Sequence, residues 1–171
     1  MQLTLLRHAP PPIIYQGRYL GHTDLSIDPE LFTPILLPYT YDAVYSSDLS
    51  RCMQSLKALG YVDFTRDERL REVRFKERFE LKSFEEIERM EGYNPKFLES
   101  EERWHDFVCD ESREAFRQRI ASFLDDLPPQ QNILICSHGG TINEILKHLK
   151  NNPKSLDYLE YTIVTVKYKK N

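Results

Sequence analysis

The sequence predicts an α/β domain with a largely parallel β-sheet, and three observations carry that reading. Segments with strand character alternate with segments of helical spacing along all 171 residues. Ile133, Leu134, Ile135 and Cys136 form an unbroken apolar run, the pattern of a strand covered on both faces. Two of the five histidines, His8 and His138, stand just past the ends of such runs. Open sheets of this class bind ligands beyond the carboxyl ends of their strands, so the two positions mark one candidate site. The length suits a single domain, taken as 1–171, and no repeat, low-complexity tract or linker divides it.

Residues 2–6 read as a buried strand that stops at Arg7 and His8, because Pro10, Pro11 and Pro12 cannot continue a ladder. The loop over 15–24 is aromatic and punctuated by Gly17 and Gly21, features that suit a functional loop. Asp28-Pro29-Glu30 predicts the start of a short helix, limited by Pro34 and Pro38. Residues 43–45 predict a second strand. Asp48 is placed as the cap of the next helix, where Leu49, Cys52, Met53 and Leu56 recur at helical spacing and Gly60 ends the run.

Residues 61–65 offer a third strand. From 66 to 91 charges of both signs alternate, which predicts an exposed loop leading into a helix over 83–90 rather than a binding patch. Gly92-Tyr93-Asn94-Pro95 breaks the chain. Phe116, Ile120, Phe123, Leu124 and Leu127 put one apolar face on a helix over 112–127, which Pro128 and Pro129 terminate. The strand over 133–136 passes through Ser137-His138-Gly139-Gly140 into a helix over 141–149. Residues 162–168 alternate as a last, edge strand.

A formal charge of −4 argues against a wide basic face, so no nucleic-acid partner is expected and any bound anion must sit in a local pocket. Cys52, Cys109 and Cys136 cannot all pair, and none forms a CxxC, which suits a reducing compartment. The N-terminal apolar run is short and has no basic leader. No apolar stretch approaches the ~20 residues of a membrane span. A cytoplasmic protein without a membrane partner is expected; the oligomeric state is not read.

Chemistry enters with the residues around the two histidines. An Arg-His pair means little alone, but Ser137-His138-Gly139-Gly140 is rare, and its glycines would let a ligand approach a helix N-terminus. Arg51 falls in the first turn of its helix, against the dipole, a placement that calls for a compensating anion. Arg7, His8, Arg51 and His138 together would suit a phosphoryl group, with guanidinium forks on its oxygens and an imidazole as nucleophile. No Walker A, EF-hand or HExxH pattern occurs, and His105 with Cys109 lacks partners for zinc, so neither metal nor cofactor is expected. His148 reads as a surface residue, and His22 as a loop residue able to line the pocket.

Four ordered motifs resemble the histidine phosphatase superfamily, in its phosphoglycerate-mutase-like branch. They are Leu6-Arg7-His8-Ala9, the run from Val44 through Tyr45-Ser46-Ser47-Asp48-Leu49-Ser50 to Arg51, Leu70-Arg71-Glu72, and Ser137-His138-Gly139-Gly140. The loop from Gly17 to Leu25 is similar to that of alpha-ribazole phosphatase-like members, and Asp110-Glu111-Ser112 resembles the family's Gly-Glu-Ser before its long helix. The resemblance implies a three-layer sandwich with a mostly parallel central sheet and helices on both faces. It implies His8 as the phosphorylated nucleophile and Glu72 as proton donor to the leaving group. Arg7, Arg51 and His138 would hold the phosphoryl oxygens, and Gln16, Tyr19, Gly21 and His22 are candidates for substrate contact.

The implied activity is metal-independent hydrolysis of a small phosphorylated metabolite, with alpha-ribazole 5'-phosphate as the first candidate. Two stretches depart from the family. Ala9-Pro10-Pro11-Pro12-Ile13 replaces Gly-Glu/Gln-Thr/Ser and a later phosphate-binding Asn. After Glu72, the usual Phe-Gly-x-Trp/Phe-Glu-Gly is replaced by a run without glycine, from Phe75 to Leu81. These departures bear on substrate more than on chemistry. A mutase, a protein phosphohistidine phosphatase and a non-catalytic phosphate-binding module are the alternatives.

Overall fold

The computed structural model describes residues 1–129 and 131–166. Five strands among them, β1 (Gln2–Arg7), β2 (Ala43–Ser46), β3 (Thr65–Arg66), β4 (Asn132–Ser137) and β5 (Tyr161–Thr165), form one sheet in the order β3-β2-β4-β1-β5. β1, β2, β3 and β4 run parallel, and β5 closes one edge antiparallel to β1. The expected last strand thus lies at an edge, and the part of it at Lys167 and Tyr168 falls outside the described residues.

Alternation along the two central strands builds the layers. Leu3, Leu5, Ile133 and Ile135 face one way and pack with Phe116, Ile120 and Phe123 of α4 (Arg113–Asp125) and Ile142, Ile145 and Leu146 of α5 (Gly139–His148). Leu6, Leu134 and Cys136 face the other way, onto Cys52 and Leu56 of α1 (Ser50–Ala58). Helices therefore cover both faces, as a doubly covered parallel sheet requires. Two shorter helices, α2 (Phe84–Ile87) and α3 (Glu101–Val108), contribute Ile87, Phe107 and Val108 to the larger core. Among the described residues no helix is long and apolar enough to cross a membrane.

Several expected elements differ. No helix follows Asp28: its side chain and carbonyl hold a single turn at Glu30 and Leu31, and the chain before Pro34 cannot settle into helical geometry. Asp48 does not cap α1. Its carboxylate takes two hydrogen bonds from Arg71 instead, and Asp24, from the preceding loop, accepts from the Ser50 N–H (2.7 Å) and hydroxyl (2.8 Å). The third strand shrinks to Thr65–Arg66, since below it the chain diverges from β2 around a groove of about 700 Å³.

The charged run over 66–91 is not simply solvated, for Leu70, Phe79 and Ile87 are fully buried. Its helix is shorter than expected, Phe84–Ile87, and is opened by a reciprocal capping box between Ser83 and Glu86.

Candidate active site

Parallel register decides where the site forms. β1 and β4 are aligned from Gln2↔Asn132 to Arg7↔Ser137, so His8 and His138 leave the same end of the sheet side by side. Ser46 is paired with Cys136, which brings Ser47 and the start of α1 to that end as well. A cleft of about 370 Å³ opens there, with Arg7, His8, Glu72, His138 and Tyr158 in its wall. The centroids of the two imidazoles are 5.2 Å apart.

His8 is buried, and its Nδ1 lies 2.7 Å from the carbonyl oxygen of Ala9. A carbonyl only accepts, so Nδ1 carries the ring proton and Nε2 keeps a lone pair. Nε2 has no hydrogen-bond partner among the described residues. Burial above all, then the positive charges of Arg51 and Arg7, hold this imidazole well below its ordinary 6.5 despite the Ala9 hydrogen bond. His8 is a neutral ring with one free nitrogen.

His138 has both nitrogens engaged. Its Nδ1 accepts from Arg51 Nε at 3.3 Å, which puts the proton on Nε2, where it is donated to Ser47 Oγ at 2.9 Å. Burial first, and Arg51 next, lower its pKa well below the usual value too. Arg51 is fully buried and stands behind His138 rather than in the cleft wall. Its other donations go to the carbonyls of Thr23 (2.9 Å) and Gly21 (2.8 Å). Those carbonyl dipoles supply the compensation for which the sequence pattern suggested an anion.

Arg7 is anchored by Nη1 on the Leu156 carbonyl (2.6 Å), with its guanidinium carbon 4.1 Å from the centre of the Tyr158 ring. Its Nε is buried and has no hydrogen-bond partner among the described residues. A donor left without an acceptor in a protein interior is costly, and an anion in the cleft would supply one. The N-terminus of α5 begins at Gly139, beside Arg7, and its dipole favours the same charge.

Glu72 completes the wall. Its carboxyl accepts from the N–H groups of Val73 (2.9 Å) and Gly140 (2.8 Å). Position 140 must be glycine for this approach: a Cβ there would stand 2.4 Å from Glu72 Oε1. Behind the loop, Arg119 donates to the carbonyls of Arg69, Arg71 and Glu72 and pairs with Glu111 at 2.6 Å.

Of the four residues read as substrate contacts, Tyr19 lines the cleft. The other three do not. Gln16 donates to the Pro11 carbonyl, His22 Nε2 to the Glu72 carbonyl (2.9 Å), and Gly21 is buried with its carbonyl on Arg51. Glu80 explains the turn inward, accepting from the N–H groups of Gly21 and His22 and from the Thr23 hydroxyl. The cleft also contains Arg18, Asn143, Lys154 and Tyr158, which sequence reasoning missed. Their segments carry no local pattern, although Asn143 lies one helical turn beyond Gly139. His105 donates to the Glu111 carbonyl, and no group of three or more His, Cys, Asp or Glu side chains suited to a metal ion occurs among the described residues.

Comparison with known proteins adds to this geometry. The family described as histidine phosphatase superfamily (branch 1) matches residues 3–168. A protein of Hydrogenobacter thermophilus named "Putative phosphoserine phosphatase 2" is 32% identical over 158 residues, covering 85% of this chain and 76% of its own. Among solved structures, a phosphoglycerate mutase from Thermus thermophilus superposes with a TM-score of 0.72 at 24% identity, over 96% of this chain and 92% of that one. The structure titled "a putative alpha-ribazole-5'-P phosphatase" from Escherichia coli reaches 0.75 at 21% identity, over 95% and 89%. Those two likenesses establish the fold. With its ordered motifs, its sheet and a family match over nearly its whole length, the chain belongs to the histidine phosphatase superfamily, branch 1, and is a phosphatase of that type.

Proposed function

We propose that the enzyme hydrolyses small phosphomonoesters through a phosphohistidine formed on His8, without a metal ion. The observation that carries this reading is the bond from His8 Nδ1 to the Ala9 carbonyl, which leaves Nε2 with its lone pair at the cleft. That lone pair attacks phosphorus, the P–O bond to the alcohol breaks, and Glu72 gives the departing oxygen a proton. Water then attacks the phosphohistidine while the Glu72 carboxylate takes its proton, which returns His8 and releases inorganic phosphate. Arg7 Nε binds a phosphoryl oxygen, the N-terminus of α5 adds its dipole, and Arg51 supplies charge from behind His138. The names of the relatives suggest phosphoserine and alpha-ribazole 5'-phosphate as esters to assay. The three free, buried cysteines support a cytoplasmic location.

Brief reaction with a labelled ester, followed by an alkaline quench, should trap an acid-labile phosphoenzyme that His8→Ala lacks. Turnover by the alanine variant near the wild-type rate would overturn the assignment. Activity should survive EDTA; loss restored by zinc or magnesium would count against the mechanism. Release of an isomerised ester instead of phosphate would select the mutase.

A further inference from the structure

A second compartment of about 300 Å³ adjoins the cleft and shares Tyr19, Phe75, Gly140 and Asn143 with it. Gly140, whose N–H holds Glu72, belongs to both walls. The compartment therefore adjoins the cleft beside the residue that holds the proton donor. Beyond the shared residues, Val73, Trp104, Val108, Cys109 and Phe116 give it apolar and aromatic surface, beside Glu101, His105, Arg113, Glu144 and Lys147.

Its charged lining residues are engaged in ion pairs. Glu101 pairs with Lys147 at 2.9 Å and Arg113 at 3.8 Å, and Glu144 pairs with Arg117 at 3.6 Å. His105 donates to the Glu111 carbonyl, and Asn143 Oδ1 accepts from the Lys154 N–H. Cys109 is no anion there, since burial foremost, with nearby Glu72 and Glu111, pushes its thiol up to about 12. What remains for a guest is flat ring surface: Tyr19 lies edge-on to Phe75 at 5.2 Å and 6.0 Å from Trp104. Such walls favour dispersion and offset stacking over ion pairing.

Resting on the phosphatase reading above, we propose that this compartment is the alcohol subsite and takes a flat, uncharged ring, so that the preferred substrates are phosphomonoesters of ring-bearing alcohols. Arg18 and Lys154 also line the cleft, but Arg18 pairs with Glu86 and Lys154 Nζ donates to the Thr162 hydroxyl.

The test compares benzyl phosphate, ethyl phosphate and O-phosphoserine by kcat/KM. Filling the compartment with a ring should favour the benzyl ester on the order of 10–100-fold, mainly through KM. Trp104→Leu should bring the benzyl-to-ethyl ratio towards one. Trp104 is the sole tryptophan, so the intrinsic fluorescence of the wild-type enzyme should also respond saturably to benzyl alcohol and not to serine. That binding readout needs neither turnover nor the variant to fold. Equal kcat/KM for the three esters, a preference for O-phosphoserine, or fluorescence indifferent to benzyl alcohol would overturn the subsite. A saturable fluorescence response with no turnover of any ester would instead uphold the subsite and count against the phosphatase mechanism.

Discussion

A carboxyl group pinned by two backbone N–H donors and facing a neutral imidazole across a cleft has a role that a single substitution can test. Glu72→Gln keeps the shape of the side chain but has no acidic proton to give. It should slow alkyl phosphates by roughly 10²–10⁴ and p-nitrophenyl phosphate far less, because nitrophenolate leaves without protonation. Equal losses on both substrates would make Glu72 a structural support. The neutral His8 also predicts that kcat/KM holds as pH falls from 7 towards 6, since the nucleophile stays unprotonated below its ordinary 6.5. At this scale the convergence of Arg7, His8, Glu72 and His138 on one cleft was legible because each sits in a short contiguous motif next to a strand end or turn. The placement of Gln16, Gly21 and His22 outside the cleft wall was not. The loop read as a candidate for substrate contact, but Gln16 folds back on the Pro11 carbonyl, and the partners that turn Gly21 and His22 inward, Glu80 and the Glu72 carbonyl, lie about 60 and 50 positions away.

The strand-turn-helix unit at β4 and α5 sets the proton donor as much as Glu72 itself does. Gly140→Ala would push a methyl against the carboxyl, and it should reproduce the leaving-group selectivity of Glu72→Gln while the protein remains folded. Steady-state rates on alkyl and nitrophenyl esters, with melting curves, check this. α4 holds the same loop from behind. Against the opposing effect of burial, Arg119 keeps Glu111 below the usual carboxylate range. Arg119→Met strands that carboxylate in a mostly buried position, and by analogy with broken buried pairs it should cost about 3 kcal/mol in urea titrations. Pairing it with Glu111→Gln should recover part of the loss.

Elements with strong periodicity or unbroken apolar runs, such as α4, α5 and β4, could be read in advance. Those that failed did so where a distant group took over. Asp48 looks like a cap by sequence, yet Arg71 claims it and Asp24 caps in its place. Phe79 and Ile87 looked like apolar residues in a solvated run, yet both are buried in the larger core, Phe79 against Phe107 of α3.

Taken whole, the molecule folds two imidazoles and a guanidinium into one buried cluster, and this sets its response to acid. His8 and His138 are both held well below 6.5, first by burial and then by Arg51, and half-buried His22 is lowered by burial as well. The folded chain therefore releases protons that the unfolded chain retains. Below about pH 6.5 the unfolded state binds more protons, and stability falls as the pH falls. Above that value neither state is protonated at these positions and the effect vanishes. Each strongly lowered histidine contributes a slope of about 1.4 kcal/mol per pH unit between the unfolded and folded values. Two such groups make a loss steep enough to stand apart from the carboxylates, whose protonation matters only nearer pH 4. Urea unfolding at pH 7.5, 6.5 and 5.5 should show little change over the first interval and a marked drop over the second. His8→Asn removes one titrating group and should reduce the second drop by roughly half that combined slope. A stability curve flat from pH 7.5 to 5.5, or an undiminished drop in the variant, would mean that the imidazoles meet acid equally in both states. The neutral nucleophile would then lose its physical basis.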